Sequence, residues 1–329
     1  MKYMPSRREF VRQSVMGATL AGASLARAEH AAASETGVVP AAPRFLPEET
    51  TLPQGKIGDR SISRILLGGN LLTHYTHSRD LRYVYNLCAH YNTEAKIMET
   101  MALAEQHGVN ALVIHTAPGI MDLLQRYRNE LGGAIQWIVC PTIQVDRDPN
   151  GYEAQVKELK RIGAEAVYLW GVAADRLVNE GNIDAIARAV ALGREHGLPS
   201  GVGAHDLRVV EACEAQDIPA DFYLLTFHHH DYPSAPRPEE ITAPVSEVPG
   251  YWCRDPQKVI TVMQEVEKPW IAFKIMAAGA VPPENALRYA FGNGADFALM
   301  GMFDFEIAED VKLACKVLAD VPRTRPWRA

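Results

Sequence analysis

The chain lacks any apolar run near the roughly 18 residues that a membrane span requires, so no segment reads as transmembrane. It also lacks a cationic excess. Its 33 Lys and Arg face 40 Asp and Glu, for a formal net charge of −7. That balance, with no basic patch, argues against nucleic acid or an anionic membrane surface as a partner. Cysteine is sparse and odd in number, at positions 88, 140, 213, 253 and 315, with no C-x-x-C pair. This spacing favours buried thiols over a disulfide framework, with Cys88 and Cys253 left as a pair able to oxidise. No G-x-G-x-x-G follows a strand-like run, which removes the usual fingerprint of an open dinucleotide-binding sheet.

What is present is ordinary globular material, 47% hydrophobic and 22% charged over 329 residues. Eight short apolar runs recur at 64–70, 111–116, 135–143, 164–171, 199–205, 222–231, 270–279 and 297–304. Between neighbouring runs lies room for one helix. Several of these stretches open with Pro and stop at Gly, as at Gly108, Gly163 and Gly197. Eight alternating βα units predict a closed parallel sheet, the (β/α)₈ or TIM barrel, over an open doubly wound one. The expected organisation is an export signal at 1–28, a linker at 29–51, the barrel at 52–322 and a tail at 323–329.

The N-terminus carries Ser6-Arg7-Arg8-Glu9-Phe10-Val11, a weakly apolar Gly/Ala-rich stretch and Ala26-Arg27-Ala28. This is similar to a twin-arginine translocation signal, and an ordinary secretory signal is the alternative. The resemblance implies the Tat translocase as an export partner, folding before export, and a periplasmic or other extracytoplasmic location.

In a (β/α)₈ barrel the C-terminal strand ends converge on one mouth, so side chains there are the candidates for chemistry. His115, His205, the run His228-His229-His230-Asp231, Lys274 and Asp304 occupy such ends. One reading is a divalent metal site for Zn, Mn or Fe, with His205, His228, His115 and Asp304 as ligands. The other is metal-free acid/base work by His115, His230, Lys274 and Asp304. Lys274 reads either as a nucleophilic amine of the Schiff-base type or as the salt-bridge partner of a carboxylate such as Asp304. Two long loops, 71–92 and 232–254, look like lids over the mouth. They bring His74, His77 and Trp252 as substrate contacts, with Trp170 at a strand end as a stacking face.

Residues Lys56-Ile57-Gly58-Asp59-Arg60-Ser61-Ile62-Ser63-Arg64-Ile65-Leu66-Leu67-Gly68-Gly69-Asn70 resemble the opening of the aldo/keto reductases, and 109–118 resemble that family's second strand. The resemblance implies a (β/α)₈ barrel using NADP(H). The positions where the family needs Asp, Tyr, Lys and His fall on or near His115, Ile120 and Met121, Cys140 and Trp170. The favoured expectation is therefore a lyase, isomerase or hydrolase acting on a small polar, sugar-like molecule. An NADP(H)-dependent oxidoreductase and a non-catalytic binding barrel stand as alternatives.

Overall fold

A computed structural model describes residues 52–241 and 253–329. An antiparallel hairpin opens it, β1 (Gln54–Ile57) and β2 (Arg60–Ser63), turning through Gly58 at φ +60°. Eight parallel strands follow: β3 (Ile65–Gly68), β4 (Ala111–His115), β5 (Gln136–Cys140), β6 (Ala166–Leu169), β7 (Ser200–Ala204), β8 (Tyr223–Thr226), β9 (Trp270–Phe273) and β10 (Phe297–Met300). They pair in sequence order, and β10 closes on β3 with Ala298 opposite Ile65 and Met300 opposite Leu67. The chain is a closed (β/α)₈ barrel, as the eight runs predicted.

Ten helices surround it among the described residues: α1 (Arg82–Tyr91), α2 (Glu94–Gln106), α3 (Ile120–Leu131), α4 (Pro149–Ile162), α5 (Gly171–Asn179), α6 (Ile183–Glu195), α7 (Leu207–Ala215), α8 (Pro256–Glu265), α9 (Pro283–Gly292) and α10 (Ile307–Asp320). Side chains satisfy exposed backbone donors where these helices start. Asp148 accepts from the Gly151 amide at 2.9 Å and Asp255 from the Lys258 amide at 2.9 Å. Gly132 and Gly163 end α3 and α4 in the left-handed conformation that a side chain would penalise.

Strand alternation sorts the core into two layers. Leu66, Val113, Ile138, Leu224, Ile271 and Leu299 fill the barrel, joined from below by Ile57 and Ile62 of the hairpin. The residues between them in sequence face the helices, as in Leu112, Val139 and Val202. On β7 the inward positions are Gly201 and Gly203. A Cβ on Gly203 would lie 2.9 Å from the Leu169 carbonyl and 3.2 Å from the Tyr168 ring, so the missing side chain is what seats that tyrosine.

The strands are shorter than the apolar runs. The runs at 222–231, 270–279 and 297–304 leave the sheet at Thr226, Phe273 and Met300, and their apolar tails pack as loops over the barrel rim. The loop expected at 71–92 contains α1, so this lid has a helix of its own. The five cysteines carry no disulfide, and Cys88 and Cys253 are both buried. No helix among the described residues is long and apolar enough to cross a membrane. The expected signal at 1–28, the linker at 29–51 and Trp252 lie outside the described residues.

The last residues, expected as a tail, close the bottom of the barrel. Arg325, 1% exposed, reaches Asp296 at 2.7 Å and the carbonyls of Gly294, Val266 and Lys268. Asp296 also accepts from the amides of Trp270 at 2.9 Å and Arg328 at 2.8 Å. Trp327 lies between the Arg64 and Arg323 guanidiniums, 3.8 Å and 3.4 Å from its ring centroid.

Candidate active site at the barrel mouth

The inward face that buries Val113 and Leu224 lower down presents polar side chains where the strands end. Asn70, His115, Tyr168, His205 and Phe273 surround a cavity of about 220 Å³, with Trp170 and the first turn of α5 on one wall. The β3 lid adds Tyr75 and His77, and Lys274 enters from the loop after β9. Tyr75 sets its ring edge-on to both His77 and His115, with centroids 5.4 Å and 5.9 Å away. Burial lowers the His115 pKa and so favours a neutral imidazole.

His205 is held by Asp175. Its Nδ1 lies 2.8 Å from one carboxylate oxygen, while the other oxygen accepts the backbone amides of His205 at 3.0 Å and Asp206 at 2.9 Å. Asp175 is 3% exposed on the inner face of α5, which begins a single residue after β6. A carboxylate so placed puts the imidazole proton on Nδ1 and leaves Nε2 as the basic nitrogen. Asp175 also stabilises the imidazolium that forms when Nε2 takes a proton. Nothing at the strand ends announced this residue. The one signal was an acidic side chain within the apolar face of Val172-Ala173-Ala174-Asp175-Arg176-Leu177, where burial demands a partner.

His77 and Lys274 form a second couple. Lys274 Nζ is 2.6 Å from His77 Nε2, and the Asn70 amide nitrogen is 3.2 Å from the same atom. Both neighbours are donors, so Nε2 accepts and the ring is neutral. Burial, then the charge of Lys274, pushes the His77 pKa down to about 3. Lys274 has φ +44°, and Ala277 and Ala278 follow at +48° and +57°. Left-handed backbone at three non-glycine positions costs of order 1–2 kcal/mol each and is held only where surrounding packing enforces it.

A larger cavity of about 440 Å³ adjoins the first and shares Asn70, His77, Tyr168, Phe273 and Lys274 with it. It runs beneath the lid helix, past Val84 and Cys88, to the loops after β9 and β10, where Glu306 at the N-cap of α10 and Asp310 within that helix line its wall. This is where a reductase-like barrel would offer its phosphate grip, and the residues do not fit one. α9 opens at Pro283 with Pro282 as its N-cap, and neither residue has a backbone N–H to donate. At the start of α10 the Glu306 carboxylate already takes the Phe303 amide at 2.9 Å. Two carboxylates where a nucleotide brings phosphates repel it.

The structure gathers His77, His115, His205, Lys274 and Trp170 at the mouth and separates the remaining candidates. Asp304 lines neither cavity. Burial would raise its pKa, but Tyr91 at 2.7 Å and Lys96 at 2.9 Å hold it below the usual range. It is thus bound to Lys96, not to Lys274. His228 is 1% exposed outside both cavities, and burial pushes it down to about 3. His230 spends its Nε2 on the Cys253 carbonyl at 2.7 Å, and His74 spends its own on the Asn92 carbonyl at 2.7 Å. The expected metal ligands His115, His205, His228 and Asp304 therefore do not surround one point, because the strands end early and the loops carry two of them away. Among the described residues no three His, Cys, Asp or Glu side chains are grouped to hold a metal ion. The two lids do meet: the Arg79 guanidinium donates to the Ser234 hydroxyl at 2.6 Å and its carbonyl at 2.9 Å.

No family model matches the sequence, and no curated protein matches it. Solved structures are similar in fold. The holo form of an aldo-keto reductase from Bacillus halodurans superimposes with a TM-score of 0.51 at 11% identity, covering 84% of this chain and all of the reductase. An orotidine 5′-phosphate decarboxylase from Pyrococcus horikoshii gives 0.43 at 13% identity, over 70% of this chain and 96% of that one. An N-acetylneuraminic acid synthetase from Leptospira borgpetersenii gives 0.45 at 13% identity, over 85% and 94%. The likeness to the reductase is one of barrel architecture.

Proposed function

We propose that the barrel is an acid/base enzyme, a lyase or isomerase, that removes a proton next to the carbonyl of a small polar, sugar-like substrate. The observation that carries this reading is the His205–Asp175 pair at 2.8 Å, set in the mouth beside Lys274. His205 Nε2 takes the proton from carbon. The electron pair moves onto the carbonyl oxygen, and Lys274 Nζ stabilises the charge that develops there. In an isomerase the proton returns from Nε2 to the former carbonyl carbon while the hydroxyl proton of the first carbon passes to the former carbonyl oxygen, leaving the new carbonyl. In a lyase it goes to a departing hydroxyl as the enolate's electron pair re-forms the carbonyl and expels that group. Trp170, Tyr168 and Phe273 supply flat apolar surface for a sugar ring. His77, neutral, accepts from Lys274 and fixes where its amine points.

The test is hydrogen exchange. The folded protein is incubated in D₂O with a panel of aldoses, ketoses and hydroxyketones, and deuterium entry is followed by proton NMR. The reading requires at least one compound to exchange and His205→Gln to abolish that exchange while the fold is kept. Exchange with no member of the panel, or exchange that survives His205→Gln, overturns it.

The site of action is part of the proposal. The motif Ser6-Arg7-Arg8-Glu9-Phe10 supports export of the folded enzyme. Fractionation of cells expressing the full chain and an Arg7→Lys, Arg8→Lys variant tests it: the protein should leave the cytoplasm only with both arginines intact.

A further inference from the structure

The larger cavity contains a carboxyl that nothing in the fold uses. Asp310 is 6% exposed, lines the cavity, and has no hydrogen-bond or ion-pair partner for its side chain among the described residues. Four residues earlier, at the N-cap of α10, stands Glu306. The only charge acting on Asp310 is that of Glu306, so the two acids crowd one wall with no cation between them. Burying a carboxyl without a partner is costly, and such a group in a folded protein calls for an explanation. Much of the remaining wall is apolar, with Leu71, Val84, Ile275, Val281 and Phe303, and it turns polar at Thr76 and at the side shared with the mouth, where Lys274 stands. Phe303 adds an aromatic ring, which attracts a cation over its face. At about 440 Å³ the space falls within the range of small-molecule sites.

We propose that this cavity binds an organic cation, a primary ammonium group on an apolar body, with the ammonium between Glu306 and Asp310. The compact ammonium presents three donors to two acceptors and returns to Asp310 the partner that the fold withholds. Because the cavity shares His77 and Lys274 with the mouth, the amine is placed as the distal part of the substrate. Only that last assignment rests on the proposed function; the binding site itself does not.

The probes are benzylammonium, benzyl alcohol and benzoate, matched in size and different in charge. Isothermal titration of the full chain should show saturable binding of benzylammonium, and at least tenfold weaker binding of the alcohol and of benzoate. Asp310→Asn keeps the shape and removes the charge, and should weaken the amine at least tenfold. Glu306→Gln keeps an oxygen for the Phe303 amide and should also weaken it. In wild-type protein the amine should shift the NMR resonances of Asp310 and Phe303, a readout that needs no variant. His205→Gln should leave amine binding unchanged, so loss of the proposed chemistry and loss of this site are told apart. Equal binding of benzoate or the alcohol, no binding of the amine, shifts confined to other residues, or full affinity in Asp310→Asn would each overturn the proposal.

Discussion

The two ends of this barrel hold similar residues under opposite accounting. At the bottom, Asp296 and Arg325 are both wholly buried, and between them they meet two backbone amides and three backbone carbonyls. The Asp296–Arg325 pair has its opposite charge in place, although Arg64 and Arg323 crowd the same carboxylate. At the mouth, Lys274 leans on a neutral histidine in left-handed backbone, and Asp310 faces open space. A fold tolerates an incompletely matched carboxyl such as Asp310 where something outside the chain completes it. In barrels of this kind the bottom face serves stability and the mouth serves chemistry, and the proposed function follows that division.

The largest effect expected is at the bottom. Arg325→Met leaves Asp296 buried without its cation, and should cost about 3–5 kcal/mol of unfolding free energy in denaturant titration. A loss below about 1 kcal/mol would mean that the tail is no lock. At the mouth the losses should fall on rate instead. Asp175→Asn keeps the acceptor for two backbone amides but turns an N–H toward His205 Nδ1. That forces the other tautomer and should slow exchange by about 10²-fold or more, with modest loss of stability.

Asp310 should reveal the opposite sign. Its folded pKa, raised to about 6 by burial and by Glu306, exceeds the unfolded value of 3.8. Between those values the folded state holds a proton that the unfolded state has released, so this group's contribution falls as pH rises through the window and is lowest above about 6. Asp310→Asn should therefore stabilise the protein by roughly 1–2 kcal/mol at pH 7–8 and change little near pH 4. His77 and His228 act the other way. Their folded values near 3 lie below the ordinary 6.5, so the unfolded state binds more protons and stability falls as pH drops from about 6.5 toward 3. His228→Gln should flatten that acid slope. The smallest effect belongs to the backbone: Ala278→Gly, at φ +57°, should gain about 0.5–1 kcal/mol, whereas an equal change to glycine inside α9 should lose stability.

The barrel was legible because parallel strands buried on both faces write themselves as apolar runs, and eight of them leave few alternatives. Where each strand stops was not legible. The apolar residues Phe227, Ile275 and Met302 continue the pattern but pack against helices as loop, which carried His228, His230 and Asp304 away from the mouth. His115, His205 and Lys274 were found because the barrel rule locates strand ends without needing their contacts. Asp175 was missed because its partner is 30 residues away and only the fold brings them together. Asp310 was hidden for a different reason: on a helix an acidic residue reads as solvated surface until the lid above it is known.

The central claim, that the mouth is set for proton transfer by His205, is tested most directly by ¹⁵N NMR of the imidazole nitrogens near neutral pH. Wild-type protein should show the His205 proton on Nδ1, with Nε2 unprotonated, and Asp175→Asn should reverse the two. A wild-type His205 protonated on Nε2 would contradict the account, since the base it requires would then be pointing its proton into the cavity.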